Sequence, residues 1–193
     1  IMENQNKNLG GAQERTAPGE IVAQRLAELN SQQTAVKGKH RGVCMVIDQT
    51  PPMGDNTLIM LHMVRQMSVE EREPSAYFTS RLSNVQLCNR LIAVVTGISQ
   101  DSIDAGTLTT DEWQKLDDAL PRITEAPLYL DDTPEMTLAE LRRKLRGLVD
   151  EHGVRLIVAD HIRLTDVTKR HGVLAALKTV AEELTVAIIA LED

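Results

Sequence analysis

Aromatic residues are almost absent from this chain of 193 residues, which contains one Trp, two Tyr and one Phe. Its core must therefore be built from aliphatic side chains and methionine. Proteins that bind single-stranded nucleic acid by stacking depend on aromatic faces, so the composition disfavours that class. The formal net charge of −7 also disfavours a strong nonspecific attraction to polyanions.

Cysteine and long apolar segments are scarce as well. The two cysteines, Cys44 in an apolar run and Cys88 in a helical pattern, lack the spacing of metal ligands, and we expect them to be buried free thiols. No apolar run approaches the ~18 residues that span a bilayer, and residues 1–19 lack the apolar segment of a signal peptide. We expect a cytoplasmic protein that has no membrane partner.

The hydrophobic pattern divides the chain into a flexible arm, an amphipathic helix with its linker, and a core, at residues 1–19, 20–40 and 41–193. The helix predicted over 20–29 packs either on its own domain or on a neighbouring subunit, in which case it supports an oligomer. Both interpretations are open at this point.

In the core, apolar runs alternate with helical patterns, and the clearest runs are 43–47, 154–159, which only Arg155 interrupts, and 186–191. Ser83, Thr110 and Thr137 are candidate caps of three of the helices, one of them over 110–120. This alternation predicts a mostly parallel α/β sheet with helices on both faces. Ligands of such sheets bind beyond the carboxyl ends of the strands, so a functional site is expected at that edge.

The first strand is followed by the stretch DQTPPMGDNT, residues 48–57, and then by a helical pattern. Strand, tight loop and helix is the layout of a phosphate-binding loop. A working loop reads G-x-x-x-x-G-K-[ST], in which Lys neutralises phosphate and the hydroxyl binds magnesium. Here Asp55 and Asn56 follow Gly54, so the layout is present and the charge is inverted.

Five segments together resemble the ATPase domain of bacterial replicative helicases of the DnaB family, which has a RecA-like P-loop NTPase fold. They are SNVQLCNRL (83–91), LTTDEWQKLDDAL (108–120), APLYLDDTP (126–134), LAELRRKLRGLVDEHGVRLIVAD (138–160) and LKTVAEEL (177–184). The resemblance covers roughly residues 40–193. It implies a hexameric ring that hydrolyses ATP between subunits and moves along single-stranded DNA.

The family loop reads close to R-P-x-M-G-K-T, and residues 50–56 lie over it. Pro51, Met53 and Gly54 agree with that pattern, and we regard them as vestigial nucleotide-binding positions. The essential Lys falls on Asp55 and the magnesium-binding Thr on Asn56. Thr57 comes one position later, and we expect it not to substitute because a helix turns ~100° per residue.

The other family positions are also altered. The catalytic glutamate falls on Arg81, and a guanidinium cannot deprotonate water at neutral pH. Asp160 keeps its type at the end of an apolar strand and is the only metal candidate, although an Asp there can also cap a turn. The phosphate-sensing Gln falls on Asp193, and the arginine finger has no counterpart. Lys169 and Arg170 are weak DNA-binding candidates, or simply a solvated basic turn.

These substitutions predict a helicase-family protein that has lost ATP hydrolysis, needs no cofactor and acts through contacts with helicase-type subunits or replication proteins. One unit charge 4 Å from a phosphate contributes about 4 kcal/mol at an effective dielectric of ~20, so replacing Lys by Asp is costly. The alternative is an ATP-dependent helicase module that uses ATP and Mg²⁺ and is active only with partner subunits. A third hypothesis is a remnant that has no selected role.

Overall fold

The computed structural model describes residues 42–48, 56–167 and 170–192. The predicted arm, the predicted helix over 20–29, loop residues 49–55, Lys169 and Asp193 lie outside these ranges. The division of the chain into three parts therefore stays a prediction.

Five parallel strands form one sheet in the order β1-β5-β4-β2-β3. The strands are β1 (Val43–Asp48), β2 (Ser75–Thr79), β3 (Leu128–Asp131), β4 (Leu156–Asp160) and β5 (Ala187–Glu192). Between them lie α1 (Asn56–Val64), which continues into a π-helical stretch (Arg65–Glu70), α2 (Asn84–Thr96), α3 (Gln100–Ala105), α4 (Thr110–Thr124), α5 (Leu138–His152) and α6 (Arg170–Leu184). The predicted parallel α/β architecture is confirmed.

Helices cover both faces of the sheet because alternate side chains of each strand point to opposite faces. On one face Phe78 and Ile157 pack with Leu145 of α5. On the other face Tyr77 and Val158 pack with apolar side chains of α1 and α2. Strands β2 and β4 are buried along their whole length, as expected for continuous apolar strands inside a parallel sheet.

Strand β1 differs from the other apolar runs because it lies at one edge of the sheet. Val43 and Val46 are 40% and 41% exposed. They are an odd number of positions apart, so one lies on each face of the sheet. An apolar run in the sequence thus marked a strand correctly without showing how deeply it is buried.

Two of the three predicted helix caps are confirmed. Ser83 and Thr137 each accept a hydrogen bond from the amide of the third helical residue and form a capping box. The prediction of Thr110 is wrong, since Thr109 caps α4 and pairs with Glu112 in the same motif. The reason is spacing, because a capping box needs Glu or Gln three residues after the cap. Helix α4 also continues past Pro121 to Thr124, beyond the end predicted at residue 120.

The expectation of two buried thiols is wrong. Both cysteines are free, but Cys44 is half-buried and Cys88 is exposed. Cys88 follows the buried Leu87 on α2 and so lies ~100° away from it around the helix. No helix in the described ranges is both long and apolar enough to cross a membrane.

Candidate functional site

The carboxyl ends of the strands meet at one edge of the sheet, and Asp160 ends its central strand, β4. It lies in register between Thr79 of β2 and Leu191 of β5. The Asp160 side chain is fully buried. Because buried polar groups need hydrogen-bond partners, the neighbours of this carboxyl group define the site.

Two hydroxyl groups donate to the same oxygen of Asp160. The Tyr77 hydroxyl lies 2.9 Å from Oδ2, and the Thr57 hydroxyl lies 3.2 Å from it. These residues come from β2 and from the first turn of α1. The carboxyl group therefore joins three elements of the fold on the face of the sheet that α1 covers.

The second oxygen, Oδ1, has no hydrogen-bond partner among the described residues. The His161 Nε2 atom is 3.5 Å from it. Burial raises the pKa of Asp160, while the Tyr77 hydrogen bond, His161, the Thr57 hydrogen bond and the nearby Arg81 oppose that rise. The net direction is upward because removal from water disfavours the charged carboxylate.

The turn after β4 has an unusual backbone. His161 has a φ of 51°, in the left-handed region that few non-glycine residues adopt. The Ser80 hydroxyl donates to the His161 carbonyl, and the His161 amide donates to the carbonyl of Leu191. Hydrogen bonds from the turn after β2 and to the end of β5 thus hold the segment that follows Asp160.

Arg81 lies in the turn after β2 and is exposed. Its backbone amide donates to the Thr79 hydroxyl at 3.2 Å. The guanidinium is close enough to lower the pKa of Asp160. The structure therefore brings together Arg81 and Asp160, two residues that the sequence assigned to one site.

The remaining predicted positions fall into two groups. Asn56 is half-buried at the start of α1, and Arg170 begins α6. The others lie outside the described residues: Pro51, Met53, Gly54, Asp55, Lys169 and Asp193.

Sequence reasoning missed Tyr77 and the contact of Thr57 with Asp160. That Thr57 does not substitute for the magnesium-binding hydroxyl stays a prediction, but its hydroxyl does reach Asp160. Tyr77 is paired with Val158, not with Asp160, and its ring reaches two residues along the neighbouring strand. Its presence in an apolar strand was a signal, because a buried Tyr hydroxyl requires a partner.

The described residues supply one carboxylate to a possible metal. No group of three or more His, Cys, Asp or Glu side chains in the described ranges has the arrangement of a metal site. Magnesium prefers several oxygen ligands at octahedral geometry. Because two hydroxyl donors already occupy one oxygen of Asp160, this part of the site does not fit the ion by itself.

Comparison of the sequence with known proteins identifies the family of this chain. Residues 23–193 match the model of the DnaB-like helicase C-terminal domain. The chain is 30% identical over 164 residues to the replicative DNA helicase DnaB of Leifsonia xyli, covering 81% of this chain and 36% of that protein. It is 32% identical over 157 residues to the DnaB of Treponema pallidum, covering 77% and 36%.

Two solved structures share the fold. The first is an ATPase domain, which superimposes with a TM-score of 0.69 at 19% identity and covers 92% of this chain and 71% of that one. The second is a DnaB-like replicative helicase, solved with its interactions with primase, which gives 0.69 at 20% identity and covers 92% and 48%. The chain spans about a third of the length of the two DnaB proteins named above. On this evidence the fold is that of RecA-like ATPase domains, and the chain belongs to the family of DnaB-like helicase C-terminal domains.

Proposed function

We propose that this chain is a non-catalytic member of the DnaB-like helicase family, which has lost ATP hydrolysis and acts in DNA replication through protein contacts. The observation that carries the proposal is Arg81. An exposed guanidinium stands where the family resemblance has the catalytic glutamate, and it is within electrostatic reach of Asp160. No carboxylate at this position is available to activate an attacking water.

The sequence of the loop supports the same conclusion. Asp55 replaces the lysine that neutralises the terminal phosphates, and Asn56 replaces the hydroxyl that binds magnesium. Repulsion of one unit charge at 4 Å corresponds to about 4 kcal/mol at an effective dielectric of ~20, which is roughly several hundredfold in affinity. Loss of the general base lowers the rate by a further factor of about a hundred or more.

Isothermal titration with Mg-ATP, followed by measurement of phosphate release, tests the proposal. We expect neither binding in the micromolar range nor turnover. The informative control is the triple variant Asp55→Lys, Asn56→Thr and Arg81→Glu, in which nucleotide binding should appear if the scaffold is intact. Micromolar binding with turnover by the unchanged chain would contradict the loss of activity.

Exposed apolar side chains support a role in protein contact. Trp113 and Leu120 on α4 are 50% and 37% exposed, and Val85 at the start of α2 is 70% exposed. Exposed apolar surface is typical of protein interaction sites when its residues lie together. We propose that it contacts another helicase-type subunit, with the helix predicted over 20–29 as the matching element. Primase is a second candidate partner, because one of the structural neighbours was solved with its interactions with primase.

Association can be measured by light scattering of the chain alone and after mixing with an active family member. Trp113→Ser should abolish association while changing the free energy of unfolding by less than about 0.5 kcal/mol, as expected for a surface position. Val46→Thr, an exposed site on β1, is the matched control and should leave association unchanged. Undiminished association of the Trp113→Ser variant would exclude this surface.

An ATP-dependent helicase module that works only with partner subunits is the second candidate. The observation in its favour is the match over residues 23–193, together with the retained Asp160. Measuring how fast mixtures of this chain with an active family member unwind a forked duplex separates the two candidate functions. Stimulation that is lost on Asp160→Asn, which keeps an acceptor oxygen, but kept on Asp131→Asn would favour the second candidate.

A further inference from the structure

A groove of about 510 Å³ lies at the other end of the sheet, between β3 and α5. β3 is the outermost strand, and its outer edge has no partner strand among the described residues. Such an edge presents unpaired backbone amides and carbonyls, which are complementary to another extended chain. The groove therefore lies beside backbone groups that an added strand can satisfy.

Helix α5 contributes two adjacent rows of side chains at a spacing of four residues, 143–147–151 and 144–148–152. The middle of the first row is Gly147. A Cβ atom at this position would meet no heavy atom within 4 Å, so packing inside the chain does not require glycine. Glycine in a helix interior is destabilising relative to alanine. Its effect here is to keep the floor of the groove open.

The two ends of this row carry opposite charges. Arg143 and Glu151 are exposed, and neither belongs to an ion pair with another described residue. Lys144 in the adjacent row is already engaged, because its Nζ donates to the Asp131 carboxylate at 2.5 Å and to the Thr133 hydroxyl at 2.8 Å. Arg143 is close enough to Glu140 to help lower the pKa of that carboxyl group, after the Thr137 hydrogen bonds. The groove thus offers an exposed cation at one end and an exposed anion at the other.

The spacing of these charges matches an extended peptide. Eight residues of helix separate Arg143 from Glu151, about 12 Å along the axis, and Gly147 lies midway. In a strand, side chains i, i+2 and i+4 point to one face and span about 13 Å. Three alternate side chains of one strand can therefore face Arg143, Gly147 and Glu151.

We propose that this groove binds an extended segment of a partner protein, which adds to β3 as a sixth strand. The segment presents an acidic side chain to Arg143, a large apolar side chain over Gly147 and a basic side chain to Glu151. In residues 1–41 no five-residue stretch places acidic, apolar and basic side chains at alternate positions in either direction. We therefore assign the groove to a partner protein rather than to residues 1–41 of this chain. Binding here is independent of whether the chain hydrolyses ATP.

The test uses the full chain and a capped peptide labelled with fluorescein, Thr-Glu-Thr-Phe-Thr-Lys-Thr. A second peptide has Glu and Lys exchanged, because the added strand can run parallel or antiparallel to β3. Fluorescence anisotropy should show saturable binding of at least one. Gly147→Leu fills the floor and should weaken binding more than tenfold. Gly147→Ala should weaken it less and raise the thermal midpoint of unfolding, which separates loss of binding from loss of folding.

Charge reversal gives the sharper measurement. Arg143→Glu should weaken binding of the original peptide about tenfold, and a peptide that has Lys at both charged positions should restore it. Arg146→Glu makes the same charge change on the same helix outside the groove lining and should alter the affinity less than twofold. Hydrogen exchange at Leu128–Asp131 should slow when peptide binds.

Several results would overturn the proposal. They are no binding of either peptide, binding unaffected by Gly147→Leu, or equal effects of Arg143→Glu and Arg146→Glu. A concentration-dependent dimer of the chain that disappears in the Gly147→Leu variant would identify a second copy, rather than a partner peptide, as the occupant.

Discussion

Two aspartates end two strands of the same sheet, one central and one at the edge, and their surroundings differ. Asp160 ends the central strand β4, is fully buried, and accepts hydrogen bonds from two neutral hydroxyl groups. Asp131 ends the edge strand β3, is partly exposed, and pairs with the Lys144 ammonium at 2.5 Å. Burial raises the pKa of Asp160. Burial also acts upward on Asp131, but hydrogen bonds from Lys144 and Thr133 outweigh it, so its pKa is lowered.

The difference shows that the position of a strand in the sheet decides what the same side chain contributes. At the centre, the carboxyl group of Asp160 stabilises the fold by accepting hydrogen bonds from the buried Tyr77 hydroxyl and the half-buried Thr57 hydroxyl. At the edge, the carboxyl group of Asp131 holds Lys144 in place beside a groove that is open to solvent. Asp160 thus has a structural task in the described part of the site, whereas Asp131 positions Lys144 beside the proposed peptide groove.

The sharpest test of this comparison is the removal of each carboxyl group in turn. Asp160→Ala removes the carboxylate that accepts hydrogen bonds from the buried Tyr77 hydroxyl and the half-buried Thr57 hydroxyl. At about 1–3 kcal/mol for each unsatisfied group, we expect a loss of roughly 3 kcal/mol in the free energy of unfolding. Urea denaturation followed by circular dichroism measures it. Asp160→Asn keeps an acceptor oxygen and should lose less.

The same experiment on Asp131→Ala should give a loss of about 1 kcal/mol or less, since a partly exposed ion pair contributes little. Equal losses for the two alanine variants would break the comparison. They would show that burial depth does not distinguish the two carboxyl groups.

A smaller effect is expected from removal of one of the hydroxyl groups that donate to Asp160. Tyr77→Phe preserves the buried ring and removes the hydroxyl that donates to Asp160. We expect a loss of about 1–1.5 kcal/mol in the free energy of unfolding, the usual contribution of such a hydrogen bond. Tyr129→Phe is the control, because Tyr129 is half-buried and stacks on His152. It should change stability by less than about 0.5 kcal/mol. Equal losses of stability for the two substitutions would show that the Tyr77 hydroxyl does not stabilise the fold through Asp160.

The smallest effect concerns the pH dependence of the ion pair between Asp131 and Lys144 at the edge strand β3. Since the pKa of Asp131 is lowered in the folded state, its contribution is present above the unfolded value of about 3.9 and is lost as the pH falls through the folded value. The stability gap between the unchanged chain and Asp131→Asn should therefore be about 0.5–1 kcal/mol at about pH 7 and shrink below about pH 4. Denaturation at a series of pH values measures it. A gap that widens on acidification would contradict the ion pair.

Much of the fold followed from local patterns. The apolar runs marked β4 and β5 to within two residues, and the capping residues Ser83 and Thr137 marked two helix starts. These features depend on neighbours within a few residues along the chain, which sequence displays directly. Thr109 was missed because two adjacent threonines compete as caps, and only the partner Glu112 distinguishes them.

The sequence by itself determined the order of strands and helices and the position of Asp160 at a strand end. It also placed Asp55, Asn56 and Arg81 where the family resemblance implies Lys, Thr and Glu. Only the tertiary structure decided that Tyr77 and Thr57 share one oxygen of Asp160, that β1 lies at an edge, and that Gly147 opens a groove beside β3. Local hydrogen bonds and hydrophobic periodicity act between near neighbours in the chain. Burial and side-chain pairing depend on which distant elements the sheet places side by side.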